Sequence, residues 1–208
     1  MRLRHLSLVF LPAAVWALVW FGAFARADTT GPVAYVGCSV SEMSVLGYHV
    51  DGGVRFWPSN SKYDSGFVST WAGPLTNNRW WTAFDNMNLQ HPGATQVWWQ
   101  LCVQTGQTMQ QLDADAQVVL GRIHGKLPGA TVYVSALPEF SDHVCATTGL
   151  DGIANAETER DALVAAGEAE VGPVMPPLDL RHVYLGNTCH PNYPGQKLEG
   201  MALLGFFG

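Results

Sequence analysis

Two residues near opposite ends of the chain have the chemistry of a nucleophile and a base. Ser39 follows the apolar run Val33-Ala34-Tyr35-Val36 and the turn Gly37-Cys38. His190 follows the run His182-Val183-Tyr184-Leu185 and the stretch Gly186-Asn187-Thr188-Cys189, and precedes Pro191-Asn192. A serine hydroxyl becomes a useful nucleophile when an adjacent imidazole takes its proton. Each apolar run reads as a short buried strand that stops at a polar elbow. In an open α/β sheet the carboxyl ends of the strands form the binding crevice. If both strands are parallel and central, Ser39 and His190 could meet there. The plainer alternatives stay open: Ser39 or Ser41 ahead of Glu42 also suits a helix N-cap, and His190 also suits a hydrogen-bonded loop beside Pro191.

The elements that would position this pair come next. Val97-Trp98-Trp99-Gln100-Leu101 and Thr131-Val132-Tyr133-Val134-Ser135 read as two further strands, and Val54-Arg55-Phe56-Trp57 as a weaker one that stops at Pro58. Trp98 and Trp99 are expected on opposite sheet faces, both in the core. Between the strands, Thr108–Lys126 carries an apolar stripe of Met109, Leu112, Ala116, Val119, Leu120 and Ile123, ended by Gly125 and Pro128. Asn77–Asn88, Ala154–Glu170 and Gly195–Leu204 also read as helices. Strands alternating with helices indicate an α/β domain whose parallel sheet is joined by crossovers. No repeat or linker divides the chain.

The first 27 residues read as a leader. Arg2 and Arg4 precede the apolar stretch Leu6–Phe24, and Ala25-Arg26-Ala27 is a small-x-small cleavage site before Asp28. The stretch is long for a leader, so an uncleaved membrane anchor is the alternative. Cleavage would leave residues 28–208, enough for one domain with a full core. Of the chain's 11 Lys+Arg, Arg2, Arg4 and Arg26 fall in the leader, leaving 8 against 17 Asp+Glu. So acidic a surface repels phosphate backbones and anionic membranes, which argues against nucleic acid as a partner.

Cys38, Cys102, Cys145 and Cys189 all lie after the cleavage site. An even count in an exported chain favours disulfides, with three possible connectivities. Cys38 and Cys189 flank the two candidate catalytic residues and could pair if the elbows meet, which leaves Cys102 with Cys145. No C-x-x-C spacing supports a metal, and His49, His91, His124, His143 and His182 show no ligand spacing. The reading needs no metal and no cofactor. A thiol-based role for Cys38 and Cys189 is the remaining alternative use of the cysteines.

Taken in order, these motifs resemble the SGNH (GDSL-like) hydrolase superfamily. Gly37-Cys38-Ser39 stands where that family has Gly-Asp-Ser, and Asn187-Thr188-Cys189-His190-Pro191-Asn192 stands for its Asp-x-x-His-Pro-Asn, followed by Gly195. Leu101-Cys102-Val103-Gln104-Thr105 stands for its Leu-Gly-x-Asn-Asp. The resemblance spans residues 28–208. It implies a three-layer α/β/α sandwich with a mostly parallel, flavodoxin-like sheet. It further implies Ser39 as nucleophile, His190 as base, and Asn187 as the residue that orients His190, in place of the family aspartate. The oxyanion would be held by Ser39 N–H, Gly66 N–H and the Gln104 amide; Gly66 is equally part of a plain turn, with Gly73 as rival. Asparagine can hold the imidazole tautomer but cannot stabilise imidazolium by charge. Asp179 is the nearest upstream carboxylate that could substitute.

Trp57 and Trp71 lie in the loop-rich stretch expected to face the crevice, where an indole could stack on a sugar or grip an acyl chain; packing beneath the loops is the alternative. These features imply a secreted esterase acting on acylated carbohydrate or small-molecule esters. The rival is a binding module on the same fold, its catalysis decayed through Asn187 and Gln104.

Overall fold

The computed structural model describes residues 31–59 and 66–208. The leader and the turn residues Tyr63, Asp64 and Ser65 lie outside the described residues. Six helices and six strands follow in the order β1 (Val33–Val36), α1 (Ser39–Val50), α2 (Val68–Ala72), α3 (Arg79–Gln90), β2 (Gln96–Leu101), α4 (Met109–Lys126), β3 (Thr131–Ala136), α5 (Gly149–Ala165), β4 (Glu170–Val171), β5 (Val183–Tyr184), β6 (Asn187–Pro191) and α6 (Tyr193–Phe207).

Strands β1 to β4 form one parallel sheet in that spatial order. The weak run at Val54–Trp57 adds only an isolated parallel bridge, Phe56 to Val33, on the outer side of β1. The chain therefore leaves β1 in one direction to reach Phe56 and returns past β1 to build β2, β3 and β4 in the other. That reversal is the topological switch point of a doubly wound sheet, and it falls at the carboxyl end of β1, where Ser39 begins α1.

The sheet separates two cores. Side chains alternate across a strand, so Val33 and Trp98 point into a cluster with Val45, Tyr48, Phe56, Leu203 and Phe207, beneath α1 and α6. Ala34, Val36 and Trp99 point the other way, against residues of α2 to α5 such as Trp71, Trp81, Leu112, Val119 and Leu163. The result is a three-layer α/β/α sandwich with Trp98 and Trp99 on opposite faces, as expected. Arg122 on α4 ties α2 down by donating to the carbonyls of Trp71 and Gly73.

Helices α1 and α6 cross at two glycines. A Cβ on Gly47 would lie 1.8 Å from the Gln196 carbonyl oxygen, and one on Gly200 would lie 2.2 Å from the Gly47 carbonyl carbon. Only the absence of side chains lets these backbones touch. The contact matters for function, because α1 begins at Ser39 and α6 begins three residues after His190.

One expected strand differs. The run 182–185 does not enter the main sheet. It supplies the two-residue β5, which pairs antiparallel with β6 in a small hairpin. Asn192 braces that hairpin: its amide donates to the carbonyls of Arg181 and Val183 while its side-chain oxygen caps α6 by accepting from Gly195 N–H. His190 thus reaches the sheet's carboxyl edge from a hairpin packed on α1, rather than from a central strand.

Candidate active site

Ser39 and His190 meet. Ser39 Oγ lies 2.6 Å from His190 Nε2, across 151 residues of sequence. The elbow that presents Ser39 is fixed on three sides. Cys38 N–H donates to Ser41 Oγ at 3.0 Å, and Ser41 Oγ donates to Gln100 Oε1 of β2 at 2.6 Å. Trp71 Nε1 donates to the Gly37 carbonyl at 2.8 Å. Ser39 is the first residue of a 12-residue helix, so its N–H belongs to the unpaired first turn, where the helix dipole favours negative charge.

His190 sits on β6, which is held in two ways. A disulfide joins Cys189 to Cys145, and His143 Nε2 lies 2.9 Å from the Thr188 carbonyl while its Nδ1 lies 2.8 Å from Asp142 Oδ1. Burial pushes His190 below the usual histidine value, which keeps the ring neutral and able to accept a proton near pH 7. Its Nδ1 is shielded and has no hydrogen-bond partner among the described residues. Among the described residues the arrangement is a Ser39–His190 pair with no third side chain on the ring.

The third member expected from sequence is absent for a geometric reason. Asn187 and His190 are three residues apart on an extended strand, and an odd spacing puts side chains on opposite faces. Asn187 is exposed, and its side-chain oxygen accepts from Cys189 N–H at 3.3 Å. Asp179 is also engaged elsewhere, paired with Arg181 and with His182 Nδ1 at 2.9 Å; its bonds to Arg181 hold its carboxyl down to about 2.

The disulfides pair as Cys38–Cys102 and Cys145–Cys189, not as Cys38 with Cys189 and Cys102 with Cys145. The register of β1 on β2, Val36 beside Trp99, carries Cys38 and Cys102 to neighbouring strand ends, with Cα atoms 6.0 Å apart. Successive residues of a strand diverge, so with His190 turned to Ser39, Cys189 turns to the loop that carries Cys145.

Other expected site residues are displaced. Gln104 is exposed and lines a broad polar depression with Ser69, Gln111 and Asp115. The chain turns outward after the buried Val103, at Thr105 and Gly106, the latter with φ of 79°. Trp57 and Trp71 are 2% and 7% exposed. Trp57 donates to the His91 carbonyl, and both indoles pack in the core behind the elbow, lining a small partly open pocket of about 50 Å³. They pack beneath the Ser39 elbow instead of lining the cavity that opens on Ser39 and His190. Gly66 is buried where a Cβ would lie 2.4 Å from Trp71 Nε1, and it immediately precedes Phe67, which lines the cavity at Ser39.

That cavity holds about 200 Å³ and opens on both Ser39 and His190. Val40, Phe67, Leu137 and Phe140 line it, with Thr147, Thr148 and the disulfide-bonded Cys38, Cys145 and Cys189. Of these walls only the cysteines are singled out by the sequence, although Leu137 follows β3 directly and the carboxyl-end rule points to such positions. Among the described residues no three His, Cys, Asp or Glu side chains cluster as a metal site, and no helix is long and apolar enough to cross a membrane. Both disulfides belong to an oxidising, extracytoplasmic environment.

No family model matches the chain, and no curated protein does. Among solved structures, the chain is similar to the Bacillus subtilis protein YxiM, at 12% identity and a TM-score of 0.54, over 85% of this chain and 56% of that one. A Lactobacillus plantarum protein matches at 14% identity and a TM-score of 0.47, over 85% and 95% of the two chains. The chain thus spans little more than half of YxiM, and at this identity the likeness to YxiM establishes one thing, the three-layer α/β/α fold.

Proposed function

We propose that this chain is an exported serine hydrolase of the SGNH type that cleaves acyl esters of carbohydrates or small molecules through a Ser39–His190 dyad. The observation that carries the reading is the 2.6 Å contact between Ser39 Oγ and His190 Nε2, placed at the sheet's switch point. In acylation, His190 Nε2 takes the hydroxyl proton as Ser39 Oγ bonds to the ester carbonyl carbon. The carbon–alkoxide bond then breaks, and the alkoxide leaves with that proton as the free alcohol. Water, deprotonated by the same nitrogen, attacks the acyl-serine, and the carboxylic acid departs as Ser39 regains its proton. Ser39 N–H at the start of α1 is the first donor to the developing oxyanion, and Gly66 N–H is proposed as the second. Export rests on the leader at residues 1–27, cleaved before Asp28, and agrees with the two disulfides.

The test is labelling of the oxidised protein by a fluorophosphonate, with p-nitrophenyl acetate turnover beside it. Labelling and turnover that vanish in both Ser39→Ala and His190→Ala support the hydrolase. A folded protein that neither labels nor turns over ester would overturn it. The second reading, a binding module with decayed chemistry, draws on two observations: His190 Nδ1 has no partner among the described residues, and Gln104 is exposed. Loss of a triad aspartate's function has cost about 10⁴ in turnover elsewhere, so slow turnover is expected even if the dyad is competent.

A further inference from the structure

We infer that the cavity beside Ser39 is an acyl pocket, and that it selects short, uncharged acyl chains of up to about six carbons. The inference rests on the hydrolase reading and adds to it which side of the ester is recognised and by what.

Three observations carry it. First, the walls are apolar. Val40 and Leu137 belong to a small buried cluster with Cys38 and Cys102, separate from the two main cores, and Phe67 packs on it. Phe140 and the Cys145–Cys189 disulfide line the cavity as well. Among the described residues that line the cavity, His190 alone has an ionisable side chain, so none of them offers a fixed cation to a carboxylate or phosphate, and the acidic chain repels anions generally.

Second, the size is limiting. At about 200 Å³ the cavity is smaller than the roughly 300–1,000 Å³ of drug-sized sites. With about 30 Å³ for each water-sized group, it holds roughly six. Third, the walls are fixed. Leu137 is 5% exposed at the end of β3, and two cross-links bound the space. Widening the space at Cys38 or at Cys145 and Cys189 works against one of these bonds.

The assignment to the acyl side follows from the reaction. The acyl group stays bonded to Ser39 Oγ through both half-reactions, whereas the alcohol leaves after the first. Apolar surface that contacts the chain throughout lowers the barrier to acylation with each buried methylene, by about fourfold in kcat/KM at ordinary transfer energies. A cavity built on the residue after the nucleophile, Val40, is placed to do this.

The experiment uses the oxidised protein and two ester series. The first varies the acyl chain of p-nitrophenyl esters from two to eight carbons. The second keeps acetate and varies the alcohol from methanol to hexanol. The expected result is a rise of about fourfold per methylene to six carbons, a drop of at least tenfold at eight, and less than a threefold spread across the alcohol series. Phe140→Ala, at a half-buried position, should move the cut-off to eight carbons or beyond. Leu137→Ala, at another lining position, provides the same test should the first variant not fold. A flat acyl profile with fluorophosphonate labelling of Ser39 intact overturns the pocket assignment alone, as does a dependence on alcohol length. Absence of both labelling and turnover overturns the hydrolase reading and the pocket with it.

Discussion

Replacing Glu199 by glutamine should steepen the difference in stability between variant and native protein by about 1.4 kcal/mol for each pH unit between 5 and 7.5. Glu199 lies on α6 at 0% exposure, facing Ser44 of α1 beside the glycine crossing. Burial pushes its carboxyl up to about 8, only partly opposed by the Ser44 hydroxyl. Ser44 Oγ lies 2.9 Å from the Val40 carbonyl and 3.1 Å from Glu199 Oε2. One hydroxyl proton cannot serve both acceptors. A protonated Glu199 that donates to Ser44 Oγ satisfies the pair. The unfolded chain releases this proton near 4.5 and the folded chain holds it to about 8, so native stability is highest below 4.5 and falls as pH rises between those limits. At pH 7 the accumulated loss is about 3 kcal/mol, at 1.36 kcal/mol per unit, a large share of a domain's usual 5–15 kcal/mol.

Glutamine cannot ionise, and its amide can donate to the same Ser44 oxygen. Glu159, 1% exposed, is pushed up to about 7 by burial, then by Asp113 and Glu168, so the variant keeps a slope of its own. The readout is therefore the difference between the two curves, from guanidinium unfolding at half-unit steps of pH. Parallel curves would refute the reasoning and place an ionised carboxylate between α1 and α6.

Ester turnover should rise with pH along a single acid limb whose midpoint lies below 6.5, because burial holds His190 neutral there; a kcat/KM profile from pH 4 to 8 with a midpoint above 7 would contradict this. Asn187→Ala should change kcat/KM less than threefold, since that side chain is turned from the imidazole toward Cys189 N–H; a loss of a hundredfold would restore it to the catalytic apparatus. Reduction by dithiothreitol should lower the thermal midpoint sharply, as the cross-links span 64 and 44 residues and each contributes about 4 kcal/mol by loop entropy; calorimetry with and without reductant measures it.

How much of this was legible in the sequence depends on what each element buries. Strands β1 to β3 announce themselves as apolar runs because both of their faces are covered. Helix α4 was legible from its stripe, and its cap is Thr108, which accepts from Gln111 N–H as the expected start requires. Helix α1 was visible only as a plausible N-cap at Ser39, since the face it buries mixes Val40, Val45 and Tyr48 with the small or polar Ser41, Ser44 and Gly47, which blur its hydrophobic stripe. Helix α5 runs Gly149–Ala165, several residues before the expected Ala154–Glu170, because Gly167 ends it and Glu170 already belongs to β4.

The pair Ser39 and His190 was legible because the elbows are local. Their partners were not, because they depend on which face of an extended strand a side chain takes. Asn187 and the cysteine pairing both failed on that point. The tryptophans failed on another: loop-rich sequence need not mean loop-exposed side chains, and Trp71 is consumed in holding the Gly37 carbonyl.

The cystine lining has a consequence for when the chain becomes competent. Both bonds connect segments distant in sequence, and each contributes at least one cysteine to the chamber beside Ser39. In a reducing cytoplasm the newly made polypeptide lacks those bonds, and the hairpin bearing His190 is untethered from Cys145. Closing the Cys145–Cys189 bond ties the strand that carries His190 to a distant loop, so the surroundings of the Ser39–His190 contact depend on the redox state around the chain.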